Sequence, residues 1–179
     1  MSTYTLSDWS SSTRSSIKKP RSNKTILVAT PVASPGYTTN SMIYIAIPFK
    51  LRTFADNEWV APPAKLLLPL MVSQLERRGY FTAVVTPPFT GLTDFRLSTQ
   101  LLMLRQEFLK PISCVHLMAQ ATLLNAATHR VIVSRLFDIS VPAPDNNPYG
   151  GVLAANKAAL QLTAKMAELV INSASARRS

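Results

Sequence analysis

Cys114 and His116 come nearest, by type and spacing, to a nucleophile and its base. Two positions apart in a segment that alternates apolar and polar residues, they fall on one strand face, about 7 Å apart along the backbone. A Cys/His pair of this kind needs a third, orienting group and donors for a developing oxyanion. No local pattern supplies either, and the preferred reading is of ordinary side chains on the outer face of a strand or in an interface. Neither of the two histidines, His116 and His129, has another imidazole or cysteine at a ligand spacing, so no metal is expected. Asp94 and Asp138 would form an acid–base pair only if strand pairing brought them together; each also reads as a solvent-facing strand residue. Ser134 and Ser140 alternate outward, and no Gly-x-Ser-x-Gly elbow surrounds a serine. No glycine-rich loop ends in Lys-Ser or Lys-Thr, so no nucleotide or other cofactor is expected. Gly150-Gly151 could leave amides free for an anion at a helix start, although a tight turn into the helix is the expected reading.

Features suited to binding are plainer. Thr30-Pro-Val-Ala-Ser-Pro-Gly-Tyr37 is a shaped loop ending in an aromatic, and Tyr149 is a second aromatic in an expected loop. Phe54 and Trp59 add apolar surface near the entrance to a helix. Tyr37, Phe54, Trp59 and Tyr149 are therefore candidate partner anchors, with Trp59 equally able to plug the domain's own core. Leu102, Leu104 and Met118 lie on what should be the wet parity of their strands, and are candidate contacts on the sheet face, including contacts in a homo-oligomer.

The elements that would carry these residues follow from periodicity. Tyr4-Thr5-Leu6 reads as a short edge strand, and residues 8–24 as a linker, within a flexible N-terminal segment, 1–24. A domain is expected over 25–171 and a C-terminal tail over 172–179. Thr25 to Thr30 is a β-branched strand whose expected partner is Ser41 to Ile47; Lys50 to Phe54 is another strand, stopping before Asp56-Asn57-Glu58. A helix begins near Pro62 or Pro63 and ends at Gly79, with Pro69 predicting a kink or a later start. Phe81 to Thr86 is a strand. Phe95 to Phe108 is a long half-exposed one, whose alternation blurs at Leu102 and Leu104, marking a bulge or a second covered face. Ser113 to Leu123 and Val131 to Val141 alternate cleanly about a short polar connection and predict a long antiparallel hairpin. A last helix follows Gly150-Gly151 to about Val170. The expected fold is α+β, an antiparallel sheet with two main helices on one face.

A chain of 179 residues with 47% hydrophobic residues is one domain with a substantial core. No uninterrupted apolar run is long enough for a membrane-spanning helix, so the form given is expected to be soluble. The net charge of +10 is unevenly placed: the first 24 residues carry +4, Arg177 and Arg178 add +2, and residues 25–176 hold 12 bases against 8 acids. A specific nucleic-acid partner would want that charge on structured elements, so a basic nucleic-acid-binding module is a minor alternative, as is a small hydrolase using Cys114 and His116. Cys114 is the single cysteine, which excludes an internal disulfide.

Five blocks in order carry a familiar pattern: Ile26-Leu-Val-Ala-Thr-Pro-Val-Ala-Ser-Pro-Gly-Tyr37, Ser41-Met-Ile-Tyr44, Phe54-Ala-Asp-Asn-Glu-Trp-Val-Ala-Pro-Pro-Ala64, Leu75-Glu-Arg-Arg-Gly79 and Asn147-Pro-Tyr-Gly-Gly-Val152. Together, over about residues 3–170, they resemble the auxiliary lipoprotein component of ABC-type transporters. The resemblance implies a non-catalytic accessory protein of the bacterial cell envelope, working with an MCE-domain protein or another component of an ABC system in the transport of phospholipid or other hydrophobic substrates. It also implies a periplasmic protein, lipid-anchored to the outer membrane through a cysteine just ahead of the Tyr4-Thr5-Leu6 start. No cysteine precedes Tyr4 here, so Met1-Ser2-Thr3 is expected to stand in place of a leader and lipobox.

Overall fold

A computed structural model describes residues 1–9 and 19–176. Its elements, in chain order, are β1 (Ser2–Tyr4), β2 (Thr25–Val28), β3 (Val32–Ala33), β4 (Ser41–Ile45), β5 (Arg52–Trp59), α1 (Pro63–Arg78), β6 (Ala83–Val85), β7 (Phe95–Glu107), β8 (Cys114–Asn125), β9 (Val131–Pro142) and α2 (Pro148–Ser175). Residues 10–18 of the expected linker and 177–179 of the expected tail lie outside the described residues.

The three long strands form an antiparallel meander because their alternation is strict. Leu97 and Leu101 on β7, Val115, Leu117, Ala119, Ala121 and Leu123 on β8, and Phe137, Ile139 and Val141 on β9 all face the core. The blur on β7 is a bulge: the register passes from Leu101↔Ala119 to Met103↔Met118, leaving Leu102 as the extra residue.

The other edge of β7 departs from expectation. β2 and β4 do not pair with each other; β2, β3 and β4 lie one after another along β7, each parallel to it, at Ile26↔Phe95, Val32↔Gln100 and Tyr44↔Gln106. The chain between them does not turn back. It continues along the edge, with Ala29 N–H donating to Leu97 O at 3.0 Å and Ser34 N–H to Leu101 O at 2.8 Å. Pro31 and Pro35 lack amide hydrogens and interrupt one edge path rather than closing a hairpin. The sheet is consequently mixed, not antiparallel throughout. Beyond β4 come β5 and then β1, and beyond β2 comes β6. β5 runs through Asp56-Asn57-Glu58 instead of stopping at Phe54, because β1 pairs with its far half: Ser2↔Asn57, Thr3↔Glu58 and Tyr4↔Trp59.

Both helices cover one face of this sheet, giving the expected α+β architecture, with Leu67, Met71 and Leu75 of α1 and Leu162, Met166 and Val170 of α2 buried in one core. α1 starts at Pro63, carries Pro69 inside it, and stops at Gly79, whose left-handed φ of 59° closes the helix with its N–H on Glu76 O. α2 begins two residues before the glycine pair and extends to Ser175, five beyond the expected end. The cause is Asn147, which is extended and accepts from Gly150 N–H through its side chain, followed by Pro148 at the first helical position. No helix among the described residues is long and apolar enough to cross a membrane.

Part of the segment expected as an N-terminal tail is built into the fold. Leu6 is in the core, Asn156 of α2 holds Ser7 N–H and Thr5 O, and the Ser22 hydroxyl donates to Tyr80 O at 2.8 Å. Asp8 pairs with Arg77 at the end of α1.

Asp94 fixes the start of β2, accepting from Thr25 N–H at 2.9 Å and from Lys24 Nζ at 3.1 Å. Burial pushes its carboxyl up, but the Thr25 amide and the Lys24 charge outweigh this and hold it below its ordinary value of 3.8. A depressed folded-state value means stability that is present above the unfolded value and lost as pH falls through the folded one. Asp94→Asn is therefore expected to lower stability at neutral pH, with the gap to the parent protein closing as the pH drops below 3.8. Urea unfolding across that range measures it; a pH-independent gap would contradict the linkage.

Candidate functional site

Cys114 and His116 do share the open face of the sheet, the one without helices. His116 is held on both sides, however: Nδ1 lies 3.3 Å from Glu107 Oε1 and Nε2 lies 2.6 Å from Asp138 Oδ1. With both ring nitrogens engaged by carboxylates, neither is aimed at the thiol. Glu107 is shared with Arg105, whose Nη2 is 2.7 Å away. Burial pulls the Arg105 guanidinium down, but the hydrogen bonds and charges of Glu107 and Tyr37 win and hold it above its usual value. The result is a cross-strand ion network on β7, β8 and β9.

The remaining chemical candidates are dispersed. Asp94 is committed to Thr25 and Lys24, while Asp138 lies across from Met118 on the edge strand β9 and is engaged by His116. Ser134 accepts from Gln120 and meets Thr122. His129 sits exposed in the β8–β9 turn at φ 56°. Among the described residues no group of three His, Cys, Asp or Glu side chains is placed to hold a metal. The glycine pair offers no anion cradle: Gly150 N–H donates to Asn147 Oδ1 at 2.7 Å and Gly151 N–H to Asn147 O at 3.1 Å.

The aromatic candidates separate by burial. Tyr37, just after Gly36 at φ 91°, is 8% exposed and lies against Arg105. Trp59 ends β5 pointing into the core, 4% exposed, beside Met42, Leu104, Val115 and Ala155. These two stabilise the domain. Phe54 is half-buried, stacked on Tyr44 at 4.5 Å and edge-on to Phe108. Tyr149 differs. It sits on the first turn of α2, not in a loop, and leaves 54% of its surface open, with its ring 6.1 Å from that of Tyr4. Leu153, one turn on, and Val60, whose N–H donates to Tyr4 O, are also exposed. Tyr4, Val60, Tyr149 and Leu153 thus form a small apolar surface against β1, the outermost strand at its end of the sheet.

On the sheet face the bulge corrects one residue. Leu104 is shifted onto the helix side and is 5% exposed in the core, whereas Leu102 and Met118 stay half-buried on the open face. Sequence reasoning passed over Phe49 in the β4–β5 loop and Leu109 and Ile112 in the β7–β8 loop, and it placed Ile47 and Leu51 in strands that stop short of them; all five are exposed. Their signal was apolar residues interleaved with lysine and proline between strands, where no core pattern asks for them.

The described residues thus present several exposed apolar surfaces. A protein of Xanthomonas campestris from the DUF330 family has a similar structure, with a TM-score of 0.85 at 18% identity and 98% of each chain covered. An uncharacterized protein is similar at a TM-score of 0.71 and 15% identity, covering 94% of this chain and 97% of that one. PelC of Paraburkholderia phytofirmans, crystallised as a dodecamer, is similar at a TM-score of 0.51 and 10% identity, covering 83% of this chain and 88% of that one. At these identities the likeness is one of fold. No curated protein matches the sequence. The family model described as ABC-type transport auxiliary lipoprotein component matches residues 4–167, from the surface tyrosine of β1 to the sixth turn of α2, and the chain belongs to that family.

Proposed function

We propose that this domain is a non-catalytic docking component of an ABC/MCE-type system moving phospholipid or another hydrophobic substrate across the bacterial envelope. The full-length protein is held in the periplasm at the outer membrane by a lipidated cysteine ahead of Tyr4, and the Tyr4–Tyr149–Leu153 surface receives an MCE-domain protein or another component of the system. The observation that carries this reading is Tyr149, an exposed aromatic on a rigid, capped helix start, braced by Tyr4. Exposed aromatics with locked backbones are the usual anchors of protein interfaces. Non-enzymatic action is supported by the double engagement of His116.

Enclosed carriage of a lipid is not part of the proposal. The apolar space beside Trp59 and Phe54 measures about 10 Å³, room for a single water and not for an acyl chain. Assembly of several copies is a second element of the reading, favoured by the outer edge of β9, twelve residues long, which among the described residues pairs with no strand. Purification of the full-length protein from detergent-solubilised envelopes tests the proposal. A component of an ABC transport system should accompany it; its consistent absence, or a turnover abolished by Cys114→Ser, would reject the reading.

A further inference from the structure

The β4–β5 and β7–β8 loops lie side by side at one end of the sheet. Phe108 N–H donates to Ile45 O at 2.8 Å, joining their bases. Asn146 then braces the second loop, donating to Pro111 O at 2.6 Å and accepting from Ser113 N–H at 2.7 Å. This rigid tip carries Ile47, Phe49, Leu51, Leu109 and Ile112, all exposed.

Phe49 is the telling residue. Lys50 N–H closes a turn on Ile47 O, with Pro48 second and Phe49 third at φ 66°. That is the form of a type II turn, whose third position favours glycine or asparagine because other side chains are strained there. A phenylalanine in that place costs stability and buries nothing: its side chain is fully exposed. The fold therefore gains nothing internally from holding this ring outward.

The charge around the tip is one-sided. Lys50 and Lys110 are exposed on these two loops, which contain no acid, Arg52 is exposed at the start of β5, and Asp145 is the exposed acid of the neighbouring β9–α2 connection. Apolar side chains on braced loops beside bases match an anionic bilayer, where apolar groups enter the acyl boundary and each lysine or arginine near the surface adds to the attraction. The opposite end of the sheet also exposes Leu92 and Phe89, but the charges beside them, Asp94 and Lys24, pair with each other. The direction of the chain agrees. β1 runs parallel to β5, away from the β4–β5 loop, so residues ahead of Ser2 leave towards the tip.

We propose that the tip formed by Phe49, Ile47, Leu51, Leu109 and Ile112 inserts into the interface of an anionic phospholipid bilayer, with Lys50, Arg52 and Lys110 on the headgroups. This deepens the envelope reading above and rests on it, since it sets which end of an anchored domain faces the membrane. The chain is mixed with vesicles of phosphatidylethanolamine and phosphatidylglycerol at a ratio of 3:1 and floated on a density gradient. The parent protein should float. The double variant Phe49→Asn, Ile112→Asn should lose at least fivefold in bound fraction without losing thermal stability, since asparagine relieves the turn at position 49. Leu92→Asn, at the other end, should float like the parent. Absence of flotation, equal flotation of the double variant, or an equal loss with Leu92→Asn would overturn the proposal. Loss of partner capture by the double variant, with no flotation of the parent, would make the tip a protein interface and overturn it equally. Full-length protein that captures its transport partner yet does not bind vesicles would remove the tip proposal alone; vesicle binding without any partner would remove the docking proposal alone.

Discussion

Gly150→Ala should destabilise the protein by roughly 3 kcal/mol, at the upper end of the range for forcing extra atoms into a packed site. A Cβ built on Gly150 would fall 2.1 Å from the carbonyl oxygen of Asp145 and 2.9 Å from that residue's C and N atoms. All three are backbone, so no rotamer change relieves the clash; the turn from Asp145 to Pro148 must move. That turn holds the Asn147 cap on Gly150 N–H and the two Asn146 hydrogen bonds to the β7–β8 loop. Gly151→Ala should cost less. Its Cβ would meet the Gln106 side chain, with Oε1 at 2.2 Å, and displacing that amide sacrifices its bonds to Ser113 Oγ and Asn147 O. For Gly150→Ala the corresponding fall in Tm is roughly 6–12 °C. Urea unfolding giving a change under about 1 kcal/mol would show that the turn yields far more easily than its hydrogen bonds imply.

Tyr149→Ala should do the opposite: leave stability nearly unchanged and weaken partner capture about tenfold or more, the loss typical of an anchoring aromatic. The ring is more than half exposed and touches Tyr4 instead of the core, so its removal opens no cavity. Alanine also has the higher helix propensity, which favours α2. Binding of a purified transport component to the parent and variant proteins separates the two effects, with circular dichroism as the check on folding. Unchanged affinity would remove Tyr149 from the interface. Trp59→Ala, in contrast, would disturb binding only by disturbing the core.

The long elements were legible because their periodicity is local. Alternation on β7 to β9 marked strands, hairpin and bulge, and the proline entry and glycine exit of α1 marked its ends. Pairing along the far edge of β7 was not legible. Pro31 and Pro35 punctuate a hairpin and a broken edge path equally well, and only the partner strand distinguishes them. The start of α2 was misread because Gly150-Gly151 looks like a helix boundary when considered alone. The better signal lay just before it, in Asn147-Pro148, a capping side chain followed by the residue best suited to a first turn. The glycines are there for close approach: one to the backbone of Asp145, the other to Gln106.

Among the candidate anchors, composition could not separate Tyr37 and Trp59 from Tyr149. Tyr37 and Tyr149 each adjoin a glycine and Trp59 lies three residues before Pro62, so what divides them is their place in the fold. Trp59 at the end of β5 is in the core and Tyr37 is buried against Arg105, while the first turn of α2 leaves Tyr149 exposed. The blocks that carry the family resemblance are mostly structural in their contacts: an edge path, a core tryptophan, a helix cap. Within them Tyr149 is the aromatic with more than half of its surface exposed.

Site-specific photo-crosslinking in intact envelopes, from position 149 of the full-length protein, asks what this surface touches. The expected product joins the protein to one component of an ABC transport system, with no such product from the same photoreactive group at position 92. A product from position 92 alone, or the absence of any transport-system adduct from position 149, would contradict docking through this surface.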